Sequence, residues 1–421
     1  MSVDGLIVLA FVAGYLAIVL EHNVSVNKAA AAILTAVACW VLITFRTTSR
    51  PGEAFLHLNE HLADISQVII FLIGAMTIVE LINSHDGFRV ITDAIRTRNK
   101  RVLLWLISLI TFFVSAVLDN LTTSIVMVSL LRRLVSDKQD RMIFAAMIIL
   151  SANAGGAWSP IGDVTTTMLW IDQRISSWKL ISFIFVPSLL SLLVPLLYFT
   201  FRVNNEDVIP PSAVEEKPRA WGARRVFVLG IGALVFVPVL RALTGLPPYI
   251  GILLGMGVMW AVTDRIHQER HYLRVPHVLT KIDMSSVMFF LGILLAVAAL
   301  ETAGLLGQLA SWMDAHLGSK DVIICVMGIA SAIIDNVPLT AAAMGMYPVS
   351  VYPADSKLWL EAAYAVGTGG SLLIIGSAAG VVVMGMEHIR FSWYFKKIAL
   401  PGLVGYLAGF FAFLLAFKLF G

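Results

Sequence analysis

Asp119, Asp163 and Asp335 each lie in an otherwise apolar stretch, flanked by amides, hydroxyls and glycines. The first cluster is Asp119, Asn120, Thr122 and Thr123. The second runs Ser151-Ala152-Asn153-Ala154-Gly155-Gly156-Ala157-Trp158-Ser159-Pro160-Ile161-Gly162-Asp163, followed by Thr165 and Thr166. The third holds Ser331, Asp335, Asn336 and Thr340, with Pro338 after the acid, and the fourth runs from Thr368-Gly369-Gly370-Ser371 to Gly376-Ser377. Glycine pairs and Pro160 interrupt a helical ladder and free its carbonyls and amides. Hard cations take oxygen ligands of this kind, and a nearby carboxylate supplies the balancing charge. An aspartate at the centre of a bilayer costs at least ~2.5–3.5 kcal/mol. No lysine or arginine stands beside these three in the same runs, so their presence needs a reason.

Blander readings exist for several of them. Asp119 and Asp335 are placed to cap short helices, and Asp163, just after Pro160, is placed to stabilise a helix dipole. Capping, however, does not require an acid in hydrocarbon. Thr165 and Thr166 are of a type that bonds back to helical carbonyls. Glu80 and Glu301 read as acids near span ends, and most histidines read as solvated loop residues. Cys39 and Cys325 support neither a disulfide framework nor a metal site.

The elements that position these clusters are membrane spans. Hydrophobic residues make up 58% of the chain, charged residues 14%, and mean hydropathy is +0.86, where a soluble domain carries about 25% charge. Runs long enough to cross a bilayer, about 20 residues each, recur near 5–20, 29–45, 68–82, 180–201, 226–240, 250–262 and 400–420. The start lacks a basic region and a cleavage site, so the first run reads as a retained span. Arg96, Arg98, Lys100 and Arg101 precede the apolar stretch 102–131, and Arg132, Arg133, Lys138 and Arg141 follow it. If both flanks are cytoplasmic, that stretch is a re-entrant hairpin with Asp119 at its tip. The same rule places loops near 21–28, 84–101, 132–141, 202–225, 264–283 and 387–397 in the cytoplasm, holding 22 of the 30 lysines and arginines.

The second half repeats the first. Ser115-Ala116-Val117-Leu118-Asp119-Asn120 returns as Ser331-Ala332-Ile333-Ile334-Asp335-Asn336, 216 residues later. Gly155-Gly156 with Ile161-Gly162-Asp163 returns as Gly369-Gly370 with Ile375-Gly376-Ser377, 214 residues later. The expected fold is therefore an all-α polytopic membrane protein of two inverted repeats, each with about five spans, a re-entrant helical hairpin and an unwound helix at the midplane. The first repeat is 1–201, with its hairpin near 102–131 and broken helix near 141–171. A cytoplasmic linker follows at 202–225. The second repeat is 226–421, with its hairpin near 321–346 and broken helix near 358–386. Gly155, Gly156, Pro160 and Gly162 mark the first break, and Gly369, Gly370 and Gly376 the second. Inverted repeats with interrupted helices facing a midplane site are the architecture of secondary transporters.

These motifs resemble the NhaD-type sodium/proton antiporters of the ion transporter superfamily, which also holds divalent-anion/sodium symporters and arsenite efflux permeases. The resemblance covers essentially the whole chain, through both Ser-x-x-x-Asp-Asn tips and the Ser-Ala-Asn-Ala-Gly-Gly-x-x-Ser-Pro-Ile-Gly-Asp segment. It implies ion binding or proton handling by Asp119, Asn120, Thr122, Asn153, Asp163, Thr165 and Thr166, and by Ser331, Asp335, Asn336, Thr368 and Ser371. Sodium is expected around Asp119, Asn120 and Asn336. The resemblance further implies a homodimer, with monovalent cations, protons and lipid as partners. The outer face is that of a bacterial periplasm or an organelle lumen, and a compact chain without a transit peptide favours a bacterial plasma membrane. No cofactor and no nucleic-acid partner is expected. The repeat is imperfect, since Asp163 pairs with Ser377 and Asn153 with Gly367, so the first half is expected to carry more of the chemistry.

Dicarboxylate symporters of the superfamily carry Ser-Asn-Thr at the hairpin tips, where this chain has aspartate in both. Buried carboxylates repel a dianion and suit a cation or proton. Because charge is costly to bury, Asp119 and Asp335 are expected to hold protons when no cation is bound, which makes sodium and proton competitors. An arsenite-type efflux permease tolerates carboxylates better and is the harder alternative. An intramembrane aspartyl protease also needs two buried aspartates, but would not place them in two copies of one motif.

Overall fold

The structure is a computed structural model that describes all residues except 1, 22–25, 47–51, 93, 94, 96, 98, 205, 208–221 and 267–270. Most of the expected linker therefore lies outside the described residues, as do Arg96 and Arg98. Among the described residues the chain is helical, with one isolated antiparallel bridge between Asn99 and Asp207. Seven helices are long and apolar enough to cross a membrane. Their outward faces carry large apolar side chains such as Leu34, Phe201, Val228 and Leu243, surface that only lipid solvates well. The chain is a multi-pass membrane protein.

The longer helices are α1 Val3–Val19, α2 Lys28–Arg46, α3 Glu53–Ser84, α4 Lys100–Ser115, α5 Asn120–Leu134, α6 Lys138–Ala157, α7 Val164–Ile171 and α8 Ser177–Arg202. After the linker come α9 Ala223–Thr244, α10 Pro248–Ile266, α11 Met284–Thr302, α12 Leu305–Leu317, α13 Lys320–Ala330, α14 Asn336–Met346, α15 Lys357–Gly369, α16 Ala378–Glu387 and α17 Leu400–Phe420.

Polar contacts sort the loops onto two ends of the bundle. At one end Ser285 donates to Asn27, Lys281 to Ser84, and Lys100 pairs with Asp140. The same end holds Glu387, buried between Arg132 (2.6 Å) and Arg141 (2.9 Å). At the other end Arg46 pairs with Asp4, His61 meets Thr302, Arg174 donates to the Tyr347 carbonyl, and Lys357 pairs with Asp321. Hairpin α4–α5 hangs from the first end and hairpin α13–α14 from the second. The broken helices α6–α7 and α15–α16 cross the bundle in opposite directions.

Each hairpin tip meets a break because glycine leaves room for backbone against backbone. A Cβ at Gly155 would collide with the Phe112 carbonyl of α4, and one at Gly369 with the Gly328 carbonyl of α13. Hydrogen bonds repeat the arrangement: Ser115 Oγ donates to the Ala152 carbonyl at 2.6 Å, and Ser331 Oγ to the Val366 carbonyl at 3.0 Å.

Candidate cation site

Asp163 is the centre of the polar cluster. As N-cap of α7 its Oδ1 accepts both the Thr165 N–H and the Thr165 hydroxyl at 2.8 Å. Its other oxygen accepts Asn120 Nδ2 at 2.6 Å, from the tip of the first hairpin. Asn336 Nδ2, from the tip of the second hairpin, reaches the same carboxylate at 3.2 and 3.3 Å. Asp163 is 1% exposed, and both asparagines are buried. One carboxylate thus receives the tip asparagine of each half. Capping and site-building are the same act here, because the break that gives α7 a free N-terminus also turns Asp163 toward the two tips.

Asn153 extends the cluster. Its oxygen accepts from Asn120 at 3.3 Å, while its amide donates to the Ile149 carbonyl and to Ser377 Oγ at 3.2 Å. Ser377 stands where the repeat puts Asp163, and it caps α16 in the same way. Thr123, one turn beyond Asn120, has a buried hydroxyl without a partner among the described residues.

Asp119 and Asp335 hold different places. Asp119 caps α5, taking the Thr122 N–H at 2.8 Å and the Thr122 hydroxyl at 2.6 Å. Asp335 caps α14 through the Val337 N–H at 3.1 Å. Both line, with Asp163, Asn120 and Asn336, a cavity of about 80 Å³, room for a few waters or a partly hydrated ion. Lys28 and Ser286 line it toward the basic end. Lys28 corrects the expectation of acids with no basic neighbour: α2 starts at Lys28, and folding brings its ammonium over the Phe289 ring, 4.7 Å from the ring centre.

A second cavity, of about 380 Å³, opens at the other end beside His61, Asp64, Asp172 and Glu301. The same four helices line both cavities, α3, α7, α11 and α14, and apolar side chains such as Val68, Met168 and Leu294 face the second.

Other expected residues are not at the cavity. Thr166 donates to the Ser159 carbonyl at 2.7 Å and to the Asp163 carbonyl at 3.0 Å, tying the break together. Thr368 donates to the Tyr364 carbonyl, Ser371 to the Thr368 carbonyl, and Ser331 to α15, so these three hydroxyls hold backbone. Lys28, Ser286 and the role of Ser377 lie outside the expected site residues. Only Ser377 had a sequence signal, its alignment with Asp163 in the repeat.

A model of the citrate transporter family matches residues 15–367. Two proteins of Arabidopsis thaliana, sodium/proton antiporters 1 and 2, are 48% and 47% identical over 98% and 96% of this chain, covering 72% and 98% of their own lengths. The Na(+)/H(+) antiporter NhaD of Alkalimonas amylolytica is 28% identical over 97% of this chain and 89% of its own. The chain belongs to the sodium/proton antiporters of the citrate transporter family. Its fold is shared with the crystal structure of the YdaH transporter of Alcanivorax borkumensis, at a TM-score of 0.58 and 13% identity over 87% of this chain and 88% of that one. The relatives are named as transporters, not enzymes. The membership agrees with the resemblance carried by the two Asp-Asn tips and the Gly-Gly-x-x-Ser-Pro-Ile-Gly-Asp break.

Proposed function

We propose that this antiporter exchanges sodium or lithium for protons by alternating access, with Asp163 as the carboxylate that cation and proton share. The supporting observation is that the tip asparagines of both halves converge on this one buried acid. With a cation bound, the asparagines turn their carbonyl oxygens inward, and Asp163 balances the charge. When the cation leaves, a proton on Asp163 takes its place, because an uncompensated carboxylate in this enclosure is costly. Asp119 and Asp335 add negative charge at the cavity wall and attract the cation into it. The cavity that Asp163 lines and the one at the other end share four helices, which supports a route from each side of the membrane.

The two inverted repeats, the re-entrant hairpins and a homodimer of scaffold and moving domains belong to the same proposal. The opposed hairpins and oppositely running broken helices support its first two parts. A citrate-like anion fits poorly, since three carboxylates line the cavity, and no observation favours arsenite over an alkali cation. The test is to reconstitute the chain in vesicles with an internal pH dye and an acid-inside gradient, then add sodium, lithium, potassium or arsenite outside. Alkalinisation by sodium or lithium alone supports the reading. Silence toward every alkali cation from neutral to alkaline pH, in protein shown to be folded, rejects it.

A further inference from the structure

We propose that Glu361 is a second proton-binding carboxyl of this transporter, separate from Asp163 and reached from the end of the molecule that holds Lys357 and Asp321. The inference rests on the reading of the chain as a proton-coupled exchanger, but its site is distinct. Glu361 lies on α15 and is 1% exposed, and its Oε1 is buried with no hydrogen-bond partner among the described residues. The lysine one turn before it does not satisfy it: Lys357 Nζ donates to both oxygens of Asp321 at 2.6 Å, and both side chains of that pair are about one-third exposed. The other titratable groups facing Glu361 are Asp321 and Cys325 of α13 and Tyr406 of α17. Of these, the Tyr406 hydroxyl is engaged with the Cys325 carbonyl at 3.0 Å.

Packing does not demand an acid here. The 214-residue offset of the broken helices places Met147 at the matching position of the first half, fully buried among apolar neighbours. The α13–α15 seam that holds Glu361 continues inward to the Ser331–Val366 bond and then to Asn336, which touches Asp163. Glu361 precedes Thr368 by two helical turns, about 10.5 Å of rise. A proton taken from water beside Asp321 and Lys357 adds to the Glu361 carboxylate and leaves by the same route. Its arrival changes the charge between α15 and α13, the arm of the second hairpin that leads to the tip at Asn336. The site therefore couples proton binding at one end of the molecule to the position of Asn336.

The test uses the full chain in lipid and the isosteric variant Glu361→Gln, read by infrared difference spectroscopy over a pH titration and by sodium-driven exchange over the same range. The expected result is loss of one protonated-carboxyl band that titrates in the wild type. The half-maximal pH of exchange should also move by at least ~0.5 unit, with the maximal rate kept within a few-fold. Retention of every band and an unchanged pH profile would overturn the proposal and leave Glu361 a packing residue. If the glutamine variant does not fold, Asp321→Asn removes the facing charge from a surface position. It should shift the same band, and an unmoved band counts against the site. Wild-type protein that moves no protons on adding sodium would defeat the proposed function, while the titrating band would still report on Glu361.

Discussion

Replacing Asp163 by asparagine isolates charge from architecture. Asparagine caps a helix as well as aspartate does, so α7 should still begin at Val164 and the break should persist. What changes is the centre of the cluster. The carboxylate receives Asn120 at 2.6 Å, Asn336 at 3.2 Å and two donors from Thr165 at 2.8 Å. An asparagine offers one acceptor oxygen and turns an NH2 toward at least one of the incoming amides. Each bond to a charged acceptor contributes ~1.5–3 kcal/mol, so the tips should loosen. For a bound cation the larger loss is electrostatic: one unit charge at ~4 Å in an effective dielectric of ~20 is worth ~4 kcal/mol. At ~1.4 kcal/mol per tenfold, sodium affinity should fall by about a thousandfold. The assay is sodium-dependent alkalinisation of acid-loaded vesicles, with Asp119→Asn measured alongside. Asp119 bonds only within the first turn of its own helix, so its loss should weaken apparent affinity less. Sodium-dependent exchange by Asp163→Asn within about tenfold of the wild type would refute the assignment of Asp163 as the charge centre.

Two further outcomes test the scaffold. Gly369→Ala places a methyl against the Gly328 carbonyl, a backbone atom that cannot swing aside; overpacking of this kind costs about 1–3 kcal/mol. Thermal melting of the purified protein should show the loss, while Gly257→Ala, which points into open space, should leave the melting temperature unchanged. Arg141→Ala removes one of two partners of the buried Glu387. Arg132 remains and both arginines are partly exposed, so the loss should be about 1–3 kcal/mol, less than for a fully enclosed pair. Adding Glu387→Gln should recover much of it, and a double variant no more stable than Arg141→Ala would argue that the arginine acts through packing alone.

Composition and run length alone determined that this protein lives in a bilayer, because apolar runs of that length have no other stable solvent. The basic flanks and the 214- and 216-residue offsets were enough to set out an expectation of two hairpins and two breaks, since glycine, proline and charge act locally. The members of the polar clusters could also be named from their types. Which member sits at the centre could not, and that is a matter of direction rather than identity. Asp119, Asp163 and Asp335 all cap helices, but among them only Asp163 accepts from the asparagines of both tips, a consequence of how the opposed hairpins meet around one break. Thr368 and Ser371 belong to the right motif and bond to backbone instead. Lys28 reads as the end of a loop and becomes a cavity wall, and Glu361, which belongs to none of the motifs, is a buried carboxyl with an unmatched oxygen. Those assignments required long-range packing, because a side chain's surroundings are set by helices hundreds of residues away and not by its neighbours in sequence.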